Sequence, residues 1–148
     1  MSAVAEDVSA FLSANRGKLR TPIPTSPIGF DAFLRNGVPV SVAAGIADRY
    51  GLTRQELGAL LHVSPSTLDR RFEKQGKFVG AEADAMYRLL GTLGVAMRVL
   101  KTDENVVSWL HRGQPALRGE QPINLLRTNA GAEAINLLLE QMYHGIVP

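Results

Sequence analysis

The chain contains no cysteine. That removes disulfides, thiolate catalysis and Cys-ligated zinc, and it suits a reducing compartment. An excess of one charge is missing as well: 16 Lys and Arg stand against 14 Asp and Glu in 148 residues, a formal +2. Bulk electrostatics therefore selects no partner, and any nucleic-acid surface has to come from local placement. No apolar run approaches the ~20 residues of a membrane span. The opening "MSAVAEDVSAFLSANRGK" carries acids where a secretory signal needs positive charge. These features predict a soluble, cytoplasmic protein with no membrane partner.

Catalytic signatures are absent too. There is no G-x-S-x-G, no G-x-G-x-x-G after a strand and no P-loop. His62, His111 and His144 lack metal-ligand spacing on a single helix. Glu82 and Asp84 fall on different sides of a helix, so they make no obvious acid–base pair. The expectation is a protein that is not an enzyme and needs neither cofactor nor metal. No convincing alternation of polar and β-branched residues marks a strand, and no internal repeat is visible.

What the chain does have is helical period. Apolar residues make up 45% of it, enough for a packed core. Val4 to Ala14 reads as a short helix, followed by the proline-rich connector "RTPIPTSPIG". Phe30, Phe33 and Leu34 then fall at helical spacing, and "VPVSVAAGIADRYG" reads as a helix entered through Pro39 and stopped by Gly51. Thr53 and Glu56 form a capping box ahead of Leu57, Leu60 and Leu61. Met86, Leu89, Leu90, Leu93, Met97 and Leu100 mark one face of a long helix, and Ile135, Leu138, Leu139 and Met142 mark another. The prediction is an all-α protein with a seam near Gly76–Gly80.

One stretch carries a specific chemistry. "RQELGALL", "HVS" and "PSTLDRRFEK" align as helix, turn and helix. Gly58 falls where the two helices cross, and Leu57, Leu61, Val63 and Leu68 can bury the inside of the corner. Ser64 is a good N-cap, and Pro65 at the first helical position gives up an N–H that has no partner there. His62 occupies a turn position that often holds Gly, where a left-handed backbone costs more. The second helix then aims its start outward, as groove reading requires. Ser64, Ser66, Thr67, Asp69 and Arg70 are candidates for base edges or nearby phosphates, and Arg71, Lys74 and Lys77 suit phosphates. From Ser64 to Lys77 four basic residues face two acidic ones. An αα-corner with a solvated basic face is the competing reading; cap, proline, small crossing residue and spacing together favour the helix-turn-helix.

The C-terminal pattern "WLHRGQPALRGEQPINLLRTNAGAEAINLLLEQMYHG" resembles the toxin-binding domain of the Xre/MbcA/ParS antitoxin family. Upstream, "GLTRQELGALLHVSPSTLDRR" resembles the Xre-type helix-turn-helix that precedes that domain, and "AEADAMYRLLGTLGVAM" matches the connecting helix. The likeness runs from about Gly37 to Gly145. It implies a type II antitoxin encoded beside a RES-domain toxin that consumes NAD+. Such an antitoxin obstructs the toxin's active-site cleft, dimerises and represses its own operon by binding operator DNA. Arg118 departs from the family, standing where many relatives carry Gly.

The implied organisation is an N-terminal helix and connector over residues 1–36, a helix-turn-helix domain over 37–79 and a toxin-binding domain over 80–148. Trp109, Leu110, Leu117, Leu125 and Leu126 read as core, since large apolar groups at helical spacing pack inward. Gly119 and Pro122 read as turn-formers. Toxin contact is therefore sought on Arg118, Arg127, Tyr143, His144, Gly145, Ile146, Val147 and Pro148. The tail has two readings: Gly145 turns "IVP" outward as a short apolar peg, or Ile146 folds back over the helix cap. A stand-alone repressor with a C-terminal dimerisation domain is the alternative function, and an interaction adaptor without DNA binding is a third.

Overall fold

A 20-residue helix, α6 (Ala81–Leu100), organises the protein. The computed structural model describes residues 3–14 and 24–146. Around α6 stand α1 (Ala3–Ala14), α2 (Pro27–Asn36), α3 (Val40–Tyr50), α4 (Arg54–Leu61), α5 (Pro65–Lys74), α7 (Asp103–Leu110), α8 (Pro122–Leu125) and α9 (Asn129–Tyr143). The predicted stripe of α6 is inside: Met86, Leu89, Leu90 and Leu93 are buried, Met97 and Leu100 half-buried. Burial extends further round the helix than one stripe, to Ala83, Ala85, Gly91, Thr92, Gly94, Val95 and Ala96. Small residues let neighbours approach from several sides. At Gly94 an added Cβ would lie 2.6 Å from the carbonyl oxygen of Asp7, so α1 crosses α6 there almost backbone to backbone.

α1 buries Ala5, Val8, Phe11 and Leu12. Phe11 stacks on Tyr50 with ring centroids 6.1 Å apart, which ties α1 to the end of α3 as well. The N-terminal helix is therefore part of the core.

α9 runs parallel to α6. Arg88 reaches Asn129 at 2.7 Å, Thr92 reaches Asn136 at 2.9 Å and Arg98 reaches Glu140 at 2.5 Å, so both chains advance in the same direction. Thr92 is fully buried, and its hydroxyl donates to the Asn136 carbonyl oxygen, so its burial leaves no polar group unmet. Ile135, Leu138 and Leu139 close the same interface, with Met142 half-buried. Of the residues expected in the core, Trp109, Leu110, Leu117 and Leu126 are buried and Leu125 is half-buried.

The all-α expectation holds apart from one detail. Val38–Pro39 (β1) and Lys77–Phe78 (β2) pair antiparallel, Val38 opposite Phe78 and Pro39 opposite Lys77. A two-residue ribbon is too short to show a period of two, so no alternation could reveal it. Its second strand falls within the Gly76–Gly80 stretch, and the ribbon links the entry of α3 to the exit of α5. Among the described residues no helix is long and apolar enough to cross a membrane.

Candidate nucleic-acid interface and C-terminal surface

Local chemistry builds the helix-turn-helix. Thr53 N–H donates to Glu56 Oε1 and Glu56 N–H to Thr53 Oγ1, each at 3.0 Å, completing the capping box of α4. Gly58 has no room for a side chain: a Cβ there would sit 2.5 Å from the Val63 carbonyl oxygen, so the close approach is to the turn itself. His62 takes the left-handed conformation, φ 58°, and ends α4. Leu57, Leu61, Val63 and Leu68 are all buried inside the corner. Ser64 then caps α5, accepting from Thr67 N–H at 3.2 Å, with Pro65 at the first helical position.

On the outer face of α5 a hydroxyl relay holds an arginine. Ser64 Oγ–H donates to Thr67 Oγ1 at 2.8 Å, and Arg70 Nη2 donates to the same oxygen at 3.1 Å. Thr67 accepts both, so its own hydroxyl proton is left for a further acceptor. Ser66 is exposed beside Ser64, 3.4 Å between hydroxyl oxygens. Asp69 is engaged by Arg54 at 3.3 Å, and that guanidinium also lies 3.7 Å over the Phe72 ring. Arg54, at the start of α4, is thereby fixed on the outer side of the motif, a residue that no sequence signal singled out.

Arg71 behaves differently from its neighbours. Half-buried, it pairs with Glu82 at the start of α6 and lies 5.6 Å over the Phe78 ring. Its charge clamps the helix-turn-helix to the central helix. Lys74 and Lys77 are exposed, Lys77 Nζ within 3.4 Å of the Asn36 carbonyl oxygen. Thr67, Arg70, Arg71, Lys74, Gly76 and Lys77 line an open cleft of about 350 Å³ along α5. A cleft with four cations and a hydroxyl suits oxyanions, and phosphate in particular.

The other predicted group divides. Arg118 follows a short 3-10 turn (Pro115–Leu117) and takes the left-handed backbone, φ 58°, with Gly119 next at φ 81°. The loop thus keeps the conformation that glycine adopts most easily, with an exposed arginine in its place. Arg127, also exposed, precedes α9. Tyr143, His144, Gly145 and Ile146 stand at the opposite end of that helix, roughly 22 Å away for 15 residues rising ~1.5 Å each.

Gly145 (φ 72°) ends α9 in a left-handed turn. Gly145 N–H donates to Met142 O at 3.2 Å and Ile146 N–H to Gln141 O at 2.8 Å, the paired bonds of a Schellman motif. Ile146 remains 56% exposed, so its side chain is not folded away over the cap. Val147 and Pro148 lie outside the described residues. Arg98 and Lys101 approach the Tyr143 ring at 5.0 and 5.8 Å, and His144 meets it edge-on at 5.3 Å. Bonding to Arg98 holds the Glu140 carboxyl below its ordinary value. Leu137, 61% exposed on the outer face of α9, is an apolar surface residue that the helical period gave no reason to separate from Leu138 and Leu139.

Two histidines join the halves. His62 Nε2 donates to the Arg127 carbonyl at 2.9 Å. His111 reaches the Val107 carbonyl through Nδ1 at 3.0 Å and Glu56 Oε2 through Nε2 at 2.9 Å.

Residues 30–91 match the antitoxin Xre-like helix-turn-helix domain, and residues 95–145 match the antitoxin Xre/MbcA/ParS C-terminal toxin-binding domain. These matches support an Xre-family antitoxin. The chain is also 24% identical over 118 residues to Antitoxin Xre of Photorhabdus laumondii subsp. laumondii, covering 79% of this chain and 80% of that protein. In this chain the two matched segments meet inside α6, between residues 91 and 95. The helix-turn-helix domain takes the first half of the central helix and the toxin-binding domain the second. α1 precedes both matched segments and packs against α6 at Gly94, at the edge of the second.

Proposed function

We propose that this antitoxin binds and sterically neutralises a cognate RES-domain toxin that degrades NAD+, and represses its own operon by binding operator DNA. Ser64, Ser66, Thr67, Asp69 and Arg70 face base edges and nearby phosphates, while Lys74 and Lys77 hold phosphates. Arg71 adds its charge to the same cleft while anchored to Glu82. The toxin meets Arg118, Tyr143, His144, Gly145 and Ile146, with Val147 and Pro148 continuing the tail. We take the antitoxin to act as a homodimer in the cytoplasm, with residues 37–79 as DNA reader and 80–148 as toxin binder.

The observation that carries this reading is the separation of two unlike surfaces along the packed pair of α6 and α9. The cationic cleft of α5 joins α6 at its first turn, through Arg71 and Glu82. The exposed Tyr143 and Ile146 lie beyond Arg98, near the last turn of α6. A chain built this way can hold DNA at one end and protein at the other. The RES class and NAD+ chemistry rest on the resemblance of the C-terminal pattern.

The test is removal of Ile146 to Pro148. If about half of the ~1.5–3 kcal/mol available from each of two aliphatic side chains is realised in a toxin cleft, inhibition should weaken by roughly ten- to a hundredfold. NAD+ consumption by the co-purified neighbouring gene product should reappear on titration, while operator binding stays normal. Unchanged inhibition by a folded truncated chain would reject the tail as the blocking element. A neighbouring product that neither co-purifies nor consumes NAD+ would favour the stand-alone repressor.

A further inference from the structure

His62 holds the main chain of the toxin-binding domain against the turn of the helix-turn-helix. The bond from its Nε2 to the Arg127 carbonyl, 2.9 Å, spans 65 residues of sequence. His62 stands two residues before Ser64, the N-cap of α5, so Arg127 is fixed beside the entry of the proposed reading helix. Arg127 is exposed. Among the described residues no ion pair uses Arg127.

We propose that Arg127 is a DNA-backbone contact, supplied to the helix-turn-helix by the toxin-binding domain. This rests on the groove reading of α5. When the first turn of such a helix enters the major groove, the residues just ahead of it lie at the groove's rim, where phosphates run. A guanidinium there can hold a phosphate with two parallel N–H bonds. The four cations of the α5 cleft gather toward the other end of the helix, from Arg70 to Lys77. Arg127 adds a cation ahead of Ser64, where Arg70 reaches back only as far as Thr67. Cations then flank both ends of a helix about 15 Å long, set against a groove about 12 Å wide.

The experiment compares the full-length wild type with Arg127→Gln and Arg127→Lys. Each is titrated against the duplex upstream of its own reading frame and against an unrelated duplex of equal length, between ~50 and ~200 mM salt. Arg127→Gln should weaken both duplexes alike, roughly five- to tenfold near ~0.1 M salt, and flatten the log–log salt slope by about 0.9. Arg127→Lys should keep most of that slope, and both variants should keep the wild-type melting temperature and neutralise toxin normally. A salt slope unchanged in Arg127→Gln overturns the proposal. So does loss of neutralisation with DNA binding intact, which would make Arg127 a toxin contact. A wild type that binds neither duplex sinks the groove reading itself, and this assignment with it.

Discussion

The carboxylate of Glu56 is shared between the two halves of the molecule: one oxygen accepts from Thr53 N–H at 3.0 Å, the other meets His111 Nε2 at 2.9 Å. Burial pushes its pKa up, but the bonds from Thr53 and His111 outweigh that and hold it below the ordinary 4.5. As pH falls, the unfolded chain therefore takes up this proton first. Glu56 adds stability that is present above pH ~4.5 and is lost as pH falls through the lower folded-state value. Glu56→Gln keeps a capping side chain but removes the titration. Urea midpoints measured from neutral pH to about pH 3 should fall less steeply for the variant; parallel curves would show that the contact contributes nothing.

Gly58→Ala tests the corner. With a Cβ 2.5 Å from the Val63 carbonyl, either the turn or α4 has to move. Overpacking of this kind costs ~1–3 kcal/mol, which lowers the melting temperature by roughly 3–10 °C in a chain of this size. Operator binding should weaken more than toxin binding, because the displaced turn sets the angle of α5. A variant with wild-type melting and wild-type operator affinity would contradict the close approach.

Thr67→Val removes the oxygen that Ser64 and Arg70 share. Arg70 then loses its hold on the helix surface, and operator affinity should drop by about 1 kcal/mol, the net worth of one such bond. Arg70→Ala should cost more, ~1–3 kcal/mol, and blunt discrimination between operator and random duplex. Lys74→Ala should weaken both duplexes together and reduce the salt slope by about one unit. Fluorescence anisotropy with both duplexes separates the three patterns, and a Thr67→Val, Arg70→Ala double variant that binds like wild type would remove α5 from the groove.

Arg98→Met leaves Asp7, Glu140 and Tyr143 without the cation they share, at 3.5 Å, 2.5 Å and 5.0 Å. Burial holds the Asp7 carboxyl above its ordinary value even with Arg98 beside it, so the loss should loosen α1 as well as the end of α9. Toxin neutralisation is expected to weaken by several-fold while operator affinity stays within error, since the α5 cleft joins the opposite end of α6. Proteolysis should also cut earlier in α1. Equal losses of DNA and toxin binding would mean that the two ends are not separable.

Most of the helix-turn-helix was legible in the residues because its determinants are local. Thr53 with Glu56, Ser64 with Thr67 and Pro65 at the start of α5 act over three residues or fewer, and the left-handed caps at Gly51, His62 and Gly145 over five or fewer. An apolar period likewise records its own helix. The exposure of Ile146 and the turn of Arg118 needed the fold, since each depends on what lies nearby in space.

The sequence alone determined the longer helices, the caps of α4 and α5, the end of α9 and the cationic run of α5, together with the pattern that resembles an antitoxin. Only the tertiary structure decided that α1 belongs to the core, that α6 is enclosed on several sides, and that Arg71 is tied to Glu82 while Arg70 is left at the surface. It also placed Arg127 beside His62, far from Tyr143. Small residues such as Gly94 register in no hydrophobic period, and side chains 11 to 65 positions apart leave no periodic trace of their meeting. Such contacts are set by how the packed helices cross, because close packing fixes which surfaces touch and a single helix carries no record of its neighbours.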